Sequence, residues 1–458
     1  MRLFPMYLTP LETFFWVDDR SSHPMAFVIQ MQFTGQVNRI ALEGTLSAAL
    51  ERHPLLQATI ERGKRRELCW VGSSALPSVD WGSANEPLHC PQGERIDLRH
   101  EVGLRVWIRQ GEIEANVTMQ FHHACCDGIG AYRFIADWFA LYGQETSLGS
   151  DRPELQPIDL SLLRIRKMRS TDKAYRNNRK EVSLRAWEDY SQHYGWRNRP
   201  QKLARPATSA KPAIKPPFPA IYSYSFTRAE HDQLRSAALQ SGANVNDVLM
   251  AELFRTTVLW NQKQGIKNPN QLLRIMIPTD LRNTQDYEMP ATNIVGFVFL
   301  SRRSHECIDI DTLLPQISQE SQRIQQHREG ARFIDTLVAA ADFSKWFLPF
   351  LLRGETCTAT SVLSNVGDPS KRFTARFPRV DGRMVMGNLV LEKITGVPPM
   401  RPGTRISISI FSYLRQLTIS IRCDPRYYGS EDTRALTHLY ADQLRKWMSG
   451  ESPKGSKE

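Results

Sequence analysis

Apolar and polar residues follow two different periods on either side of one polar segment near residue 125. Residues 115–121 alternate with a period of two, which predicts a half-buried strand. Residues 131–142 place large apolar side chains at helical spacing, which predicts a helix. Between them, residues 121–130 read Phe-His-His-Ala-Cys-Cys-Asp-Gly-Ile-Gly. Two imidazoles therefore stand at a strand-to-helix junction, where a sheet can present side chains to a cleft.

The same patterns mix strands and helices along the whole chain. Thr9 and Glu12 form a predicted capping box with Pro10 at the first helical position, so a short helix begins there. Further helices are predicted over residues 41–51, 180–193, 228–239, 244–260, 311–327, 332–352 and 431–447. Strands are predicted over residues 25–33, 55–60, 104–108, 113–121, 222–226, 274–278, 359–367, 406–413 and 416–423. This mixture indicates an α/β protein.

The composition changes near the middle of the chain, where residues 153–217 are basic and rich in proline. A chain of 458 residues is long enough for two or more domains. The change in composition predicts an N-terminal half over 1–160, a basic linker or crossover over 161–217 and a C-terminal half over 218–450. Residues 451–458 are predicted to be a disordered tail.

The positive charge of the protein is concentrated in this linker. Residues 161–215 contain 15 basic and 4 acidic side chains, which accounts for the whole net charge of +11. Such a segment could attract phosphate groups, an acidic carrier protein, anionic lipid or nucleic acid. It could equally be a linker that stays hydrated. Nucleic acid is disfavoured because no recognised binding motif accompanies the charge.

Cysteine usage and hydropathy bear on the cellular compartment. The seven cysteines are scattered and contain no C-x-x-C pair, which predicts reduced thiols in a cytoplasmic protein. The N-terminus lacks a signal-peptide pattern, and no apolar run approaches the roughly 20 residues of a membrane span. The apolar stretch at 346–352, interrupted by Pro349, is interpreted as a buried helix. The alternatives are that it lines an acyl tunnel or contacts the surface of a membrane.

The paired histidines are the strongest candidates for chemistry. Adjacent residues of a strand point to opposite sides, so His122 and His123 cannot both face one substrate, and one of them should be packed. An imidazole can act as a general base near neutral pH. Because the chain has no G-x-S-x-G elbow, we expect the acceptor substrate itself to be the nucleophile. Asp127 could orient the histidine, but an aspartate here more often caps the helix or pairs with an arginine.

A metal-binding site is the chemical alternative to general base catalysis in this segment. His122, His123, Cys125 and Cys126 are all ligand types, but zinc ligands are usually spaced as C-x-x-C or H-x-x-x-H so that they converge on one ion. Adjacent pairs at the end of one strand do not converge in that way. We therefore predict no metal site.

The pattern H-H-x-x-x-D-G at residues 122–128 resembles the active-site signature of a known superfamily. That superfamily contains chloramphenicol acetyltransferase, nonribosomal peptide condensation domains, polyketide-associated acyltransferases and wax-ester synthases. By average residue usage the pattern occurs by accident in about one chain in a thousand of this length. The resemblance implies two chloramphenicol-acetyltransferase-like subdomains that form a V-shaped pseudo-dimer with a central tunnel. It also implies that His123 is the catalytic base, with His122, Asp127 and Gly128 in structural or orienting roles.

Two further elements resemble wax-ester synthases. Residues 278–282 resemble the P-V-x-L-R element, which implies that Arg282 pairs with Asp127; the alternative is a surface arginine. Residues 359–367 resemble the T-N-V element and the strand through which the second half reaches the first. Ser364 or Asn365 could there donate to the oxyanion of a tetrahedral intermediate, although Asn365 could equally be a turn residue.

The resemblance implies transfer of an acyl group from a thioester, either acyl-CoA or a phosphopantetheinyl acyl carrier protein, to an alcohol or amine. The acceptor would be a small molecule or a lipid, the thioester would be a co-substrate, and no cofactor would be tightly bound. We expect a monomer with no nucleic-acid partner. The alternative is a noncatalytic condensation-like module that binds a carrier protein or an acylated ligand.

Overall fold

The computed structural model describes residues 3–63, 67–147, 149, 151–166, 198–207, 216–343 and 354–451, without the side chains of 339–343. Its α-helices are α1 (Pro10–Asp18), α2 (Arg39–Arg52), α3 (Gly128–Thr146), α4 (Arg228–Gln240), α5 (Val245–Lys263), α6 (Ile310–His327), α7 (Arg332–Phe343) and α8 (Ser430–Met448). The predicted helix at 180–193, the end of the predicted helix at 332–352 and nearly all of the predicted tail lie outside the described residues.

Sixteen strands in the described residues form three sheets. The strands are β1 (Met6–Tyr7), β2 (Ala26–Thr34), β3 (Ala58–Arg62), β4 (Leu68–Gly72), β5 (Ser78–Ser83), β6 (Leu104–Gln110), β7 (Glu114–His122), β8 (Ile221–Ser225), β9 (Leu272–Asp280), β10 (Val295–Arg303), β11 (Ser361–Gly367), β12 (Arg379–Val380), β13 (Arg383–Met386), β14 (Leu389–Val397), β15 (Ile406–Phe411) and β16 (Thr418–Cys423). One sheet has the order β12-β13-β14-β2-β7-β6-β5, the second β10-β9-β11-β15-β16-β8, and a small third sheet β1-β4-β3. The predicted α/β class is confirmed.

The paired histidines lie at the end of a strand of the first sheet, where the two halves of the molecule meet. Strands β6 and β7 form the predicted hairpin, and β7 runs antiparallel to β2 with Ala26 opposite His122. The rings of Phe27 and Phe121 stack between these two strands at 5.3 Å. Helix α3 follows at once and is apolar and buried along most of its length, so it anchors the segment that joins it to β7.

The strand through which the second half reaches the first is β14. It pairs antiparallel with β2, with Val397 opposite Val28, and carries β12 and β13 into the first sheet with it. The expectation that residues 359–367 form this crossover strand is wrong. Strand β11 lies in the second sheet, parallel to both β15 and β9, because its apolar residues Val362 and Leu363 are buried there.

A loop of the second half also crosses to the first. This loop, residues 281–294, joins β9 to β10 and is defined here as the crossing loop. Met289, Ala291 and Ile294 are fully buried in the core of the N-terminal half. The buried guanidinium of Arg133 on α3 donates to the carbonyl oxygen of Met289 at 2.7 Å, and the Ala291 N–H donates to Nδ1 of His53 at 2.9 Å. The crossing loop is therefore fastened from both α3 and the end of α2.

Two arginines in the described parts of the basic linker make defined contacts with the rest of the fold. Arg166 is buried, and its guanidinium donates to both carboxylate oxygens of Glu12 at 2.7 and 2.9 Å and to the carbonyl oxygen of Tyr7. Arg205 lies over the ring of Tyr427 at 3.8 Å. Of these two charges, that of Arg166 is removed from the hydrated surface, whereas Arg205 stays exposed. Among the described residues, no helix is both long and apolar enough to cross a membrane.

Candidate active site

His122 and His123 diverge at the end of β7: His122 is buried, and His123 lines a cavity that His122 does not reach. Its Nδ1 accepts a hydrogen bond from the Ala124 N–H at 3.0 Å, so its proton lies on Nε2. That nitrogen lies 3.7 Å from the carboxylate of Asp19. Burial raises the pKa of Asp19, but its interactions with His122, the Met25 N–H and Arg95 outweigh that effect and hold this pKa below its usual value.

His123 lies between two aromatic rings. Its imidazole stacks on Phe15 from α1 with centroids 4.0 Å apart and meets the edge of Phe27 at 5.3 Å. The backbone N–H of His123 donates to Met25 at 2.7 Å, which holds the residue against β2. Burial lowers the pKa of His123 to about 4, although Asp127 and Asn293 oppose this effect. The imidazole is therefore neutral at pH 7 and can accept a proton.

Asp127 and Arg282 are brought together, although 155 positions separate them in the sequence. Asp127 is the N-cap of α3, where its Oδ1 accepts from the Gly130 N–H at 2.9 Å, and its Oδ2 accepts from the Ile294 N–H at 2.7 Å. Arg282 Nη2 donates to Asp127 Oδ1 at 2.9 Å and to the carbonyl oxygen of Thr292. Burial raises the pKa of Asp127, but the charge of Arg282 and these hydrogen bonds keep it below the usual value. Asp127 is thus both a helix cap and an arginine partner.

The two glycines of this segment differ in their surroundings. A Cβ built on Gly128 would meet nothing within 4 Å, so no packing in the described structure requires a glycine there. A Cβ on Gly130 would lie 2.8 Å from the carbonyl oxygen and 2.9 Å from the nitrogen of Thr292. Gly130 therefore allows the crossing loop to approach α3 closely, a role that the sequence analysis missed.

A mainly apolar cavity lies beside His123, between the two halves. Its closed interior is narrow, about 40 Å³, and the unfilled space rises to about 500 Å³ only when open solvent at its mouth is included. Residues of α1, the second sheet, α7, the segment after β14 and the ends of the first sheet line it: Phe14, Phe15, Met25, His123, Met276, Pro278, Phe297, Phe299, Phe333, Thr358, Val362, Pro398, Pro399 and Arg401. Such a surface suits a hydrocarbon chain better than a charged group.

The one charged side chain in this lining is compensated. Arg401 forms an ion pair with Asp18 at the end of α1, and its Nη1 donates to Thr358 Oγ1 at 3.1 Å. Its guanidinium also lies over the ring of Phe14 at 5.4 Å. Neither Arg401 nor Thr358 was singled out in the sequence, because nothing in their neighbourhood along the chain marks them.

Ser364 and Asn365 are not brought to His123. Strand β11 contributes Val362 to the lining of the cavity, but neither of the two later residues. Asn365 is exposed; its Nδ2 donates to Asn246 Oδ1 at 3.2 Å, and its Oδ1 accepts from the Gly367 N–H at 3.0 Å. Its contacts are those of a turn residue, the alternative considered from the sequence.

Asn293 is the polar residue nearest to His123 that the sequence analysis missed. It lies on the crossing loop, it is buried, and its Oδ1 is 3.3 Å from Nδ1 of His123. Its Nδ2 donates to the carbonyl oxygens of His123 and Ala124 at 2.8 and 3.0 Å. No pattern in the sequence connects two residues 170 positions apart. Among the described residues, no group of three or more histidine, cysteine, aspartate or glutamate side chains could hold a metal ion.

Comparison with solved structures identifies the fold. The first condensation domain of the calcium-dependent antibiotic synthetase, solved with a substrate analogue, aligns with a TM-score of 0.69 over 98% of each chain at 13% identity. The fold is that of a condensation domain. The expected architecture of two α/β halves is thereby confirmed.

Other solved structures share this fold over nearly the whole chain. Polyketide synthase associated protein 5 from Mycobacterium tuberculosis aligns with a TM-score of 0.62 and 16% identity over 98% of this chain and 100% of that one. A variant of the starter condensation domain of rhizomide synthetase, solved with C8-CoA, aligns with a TM-score of 0.64 and 12% identity over 99% and 97%.

Similarity in sequence alone is weaker. An uncharacterized protein of Mycobacterium tuberculosis is 21% identical over an alignment of 457 residues, which covers 95% of this chain and 98% of that protein. No protein-family model matches the chain. The shared fold therefore rests on the structural alignments.

Proposed function

We propose that this protein transfers an acyl group from a thioester, either acyl-CoA or an acyl carrier protein, to an alcohol or amine, with His123 as the general base. The observation that carries the proposal is a neutral, half-buried imidazole at an apolar cavity between the two halves. A neutral imidazole can take the proton of an acceptor O–H or N–H. The acceptor then attacks the thioester carbonyl directly.

The remaining steps need no covalent enzyme intermediate. Attack forms a tetrahedral oxyanion, whose collapse breaks the C–S bond and releases a thiolate. The protonated His123 returns its proton to that thiolate, so the enzyme ends in its starting state. While His123 is charged, the nearby carboxylate of Asp127 and the Oδ1 of Asn293 stabilise it.

The lining of the cavity supports an apolar group beside the reacting carbon. Phenylalanine, methionine and proline side chains form most of it, and Asp18 compensates the charge of Arg401. We therefore propose an acyl chain or a lipid-like acceptor for this cavity. The C8-CoA bound to a condensation domain of the same fold supports acyl-CoA as one donor.

The test is His123→Ala, with the exposed His100→Ala as its control. Acetyl-, octanoyl- and palmitoyl-CoA, and the matching N-acetylcysteamine thioesters as mimics of a carrier, are each incubated with octanol and octylamine. Mass spectrometry then follows the free thiol and the ester or amide. We expect His123→Ala to lose about 10²–10⁴-fold in rate while keeping its melting temperature.

A His123→Ala variant with a near-normal rate would overturn the role of this residue. Silence of the wild type with every donor, together with saturable binding of octanoyl-CoA, would favour the noncatalytic module instead. His100→Ala should match the wild type in reaction rate and in melting temperature.

A further inference from the structure

The amide of Asn293 has only one orientation that its neighbours permit. Two carbonyl oxygens, those of His123 and Ala124, lie 2.8 and 3.0 Å from one end of the amide. That end must be the NH₂ group, because an oxygen there would face two acceptors with no hydrogen to share. The other end, which faces Nδ1 of His123 at 3.3 Å, is therefore the oxygen Oδ1.

An amide oxygen can only accept a hydrogen bond, so the Nδ1 that faces it must carry the proton. Nε2 makes no hydrogen bond within the described residues, and the side chain lines the cavity. Its lone pair is then the one available to a substrate.

We propose that Asn293 is a positioning residue that holds His123 in its Nδ1–H tautomer and so leaves Nε2 as the basic nitrogen. This inference rests on the proposed function for its effect on turnover, but the tautomer itself can be measured without any reaction. The same hydrogen bond persists when His123 becomes an imidazolium, because Nδ1 carries a proton in both states.

The crossing loop holds Asn293 in place from several sides. The Ala291 N–H is bound by buried His53, and Thr292 lies against Gly130, where a side chain would not fit. The carbonyl oxygen of Thr292 accepts from Arg282 at 2.9 Å. Asn293 therefore has little freedom to turn away from His123.

The charged groups around His123 do not dictate the tautomer by themselves. The carboxylate of Asp127 acts on the charge of His123, and it is paired with Arg282. His122 is held by the Ala124 N–H and Asp19 on the other side of the strand. Arg401, across the cavity, is paired with Asp18. Asn293 is therefore the side chain whose removal should change which nitrogen of His123 carries the proton.

The test is a two-bond ¹H–¹⁵N spectrum of the full chain with ¹⁵N-labelled histidine rings, in which His123→Gln identifies the signals of His123. We expect Nδ1 of wild-type His123 to be protonated and Nε2 to be unprotonated at pH 7. In Asn293→Leu, which removes the acceptor but keeps most of the volume, we expect the Nε2–H form to gain population. The control is Asn261→Leu, which removes a buried amide that binds the Ala204 N–H far from the site.

Kinetics provide the second measurement. Asn293→Leu should lower kcat by at least about tenfold and at most about 10⁴-fold, the loss seen when a catalytic histidine is held in the wrong tautomer. KM should change little, because Asn293 does not line the cavity. Asn261→Leu should leave both the tautomer and kcat unchanged even if it lowers stability.

Three results would overturn the inference: wild-type His123 protonated at Nε2, an unchanged tautomer in a folded Asn293→Leu variant, or an equal loss of kcat in Asn261→Leu. If Asn293→Leu does not fold, the smaller change Asn293→Ala repeats both measurements. If the wild type transfers no acyl group, the spectrum still decides the tautomer, so failure of this inference can be told apart from failure of the proposed function.

Discussion

The buried ion pair between Arg282 and Asp127 joins the two halves and should contribute strongly to the free energy of unfolding. Replacing Arg282 by Met removes its hydrogen bonds to Asp127 and Thr292, both 2.9 Å long, and its ion pair with Asp280 at 3.2 Å. The side chains of Arg282 and Asp127 are only 6% and 5% exposed, so water cannot replace the lost partner. Removing one partner of a buried pair costs about 3–5 kcal/mol. We expect that loss in the free energy of unfolding measured by urea denaturation at pH 7.

A matched control exists on the surface. Arg383 also has two carboxylate partners, Glu392 and Asp381, but its side chain is 33% exposed and that of Asp381 is 81% exposed. Arg383→Met should therefore cost only about 0–1 kcal/mol. If Arg282→Met cost no more than Arg383→Met, the argument that burial makes the pair between the halves strong would be refuted.

The pH dependence of Arg282→Met gives a further check on the same variant. The folded state lowers the pKa of Asp127 below the ordinary value of 3.8, so this carboxylate contributes stability above that pH and the contribution is lost as the pH falls through the folded pKa. The free energy of unfolding of Arg282→Met should therefore lie furthest below that of the wild type at neutral pH. The two values should approach each other as the pH falls into the acid range. A difference that grows as the pH falls would contradict the assigned charge of Asp127.

The other predictions concern His123 and the two glycines. Burial lowers the pKa of His123 to about 4, so kcat/KM measured after pH jumps should fall on the acid side near pH 4; a limb near 6.5 would contradict this environment. Gly130→Ala should cost about 1–3 kcal/mol in unfolding free energy because its Cβ would overlap Thr292. Gly128→Ala, where a Cβ meets nothing, should change it by less than about 0.5 kcal/mol, and equal losses would contradict the packing.

Local elements were predictable because their signals lie within a few residues. The capping box of Thr9 and Glu12 begins α1, and Asn244 caps α5 with the Asp247 N–H as donor. The hairpins β6–β7 and β15–β16 follow from alternation of apolar and polar residues. Helix α6 matches the predicted 311–327 to within one residue at its start.

Long-range pairing was not predictable from the same signals. Alternation indicates that 359–367 is a strand, but it says nothing about which strand it lies beside, and β14 takes the place expected for it. The strands that had no prediction are β1, β4, β5, β10, β12, β13 and β14. The opposite orientations of His122 and His123 were predictable, because a strand alternates sides, whereas the contacts of Asn293 and Arg401 depend on how distant segments meet.

Because β14 comes from the second half and pairs with β2 of the first, the first sheet cannot finish folding early in synthesis. Strand β2 has its full set of hydrogen-bonding partners only when residues 389–397 have left the ribosome, although it begins at Ala26. Until then one edge of β2 offers unpaired backbone groups, which is the kind of surface that recruits other chains. A fragment cut in the basic linker would keep that exposed edge permanently, so co-expressed N-terminal and C-terminal pieces should recover solubility only by complementing one another.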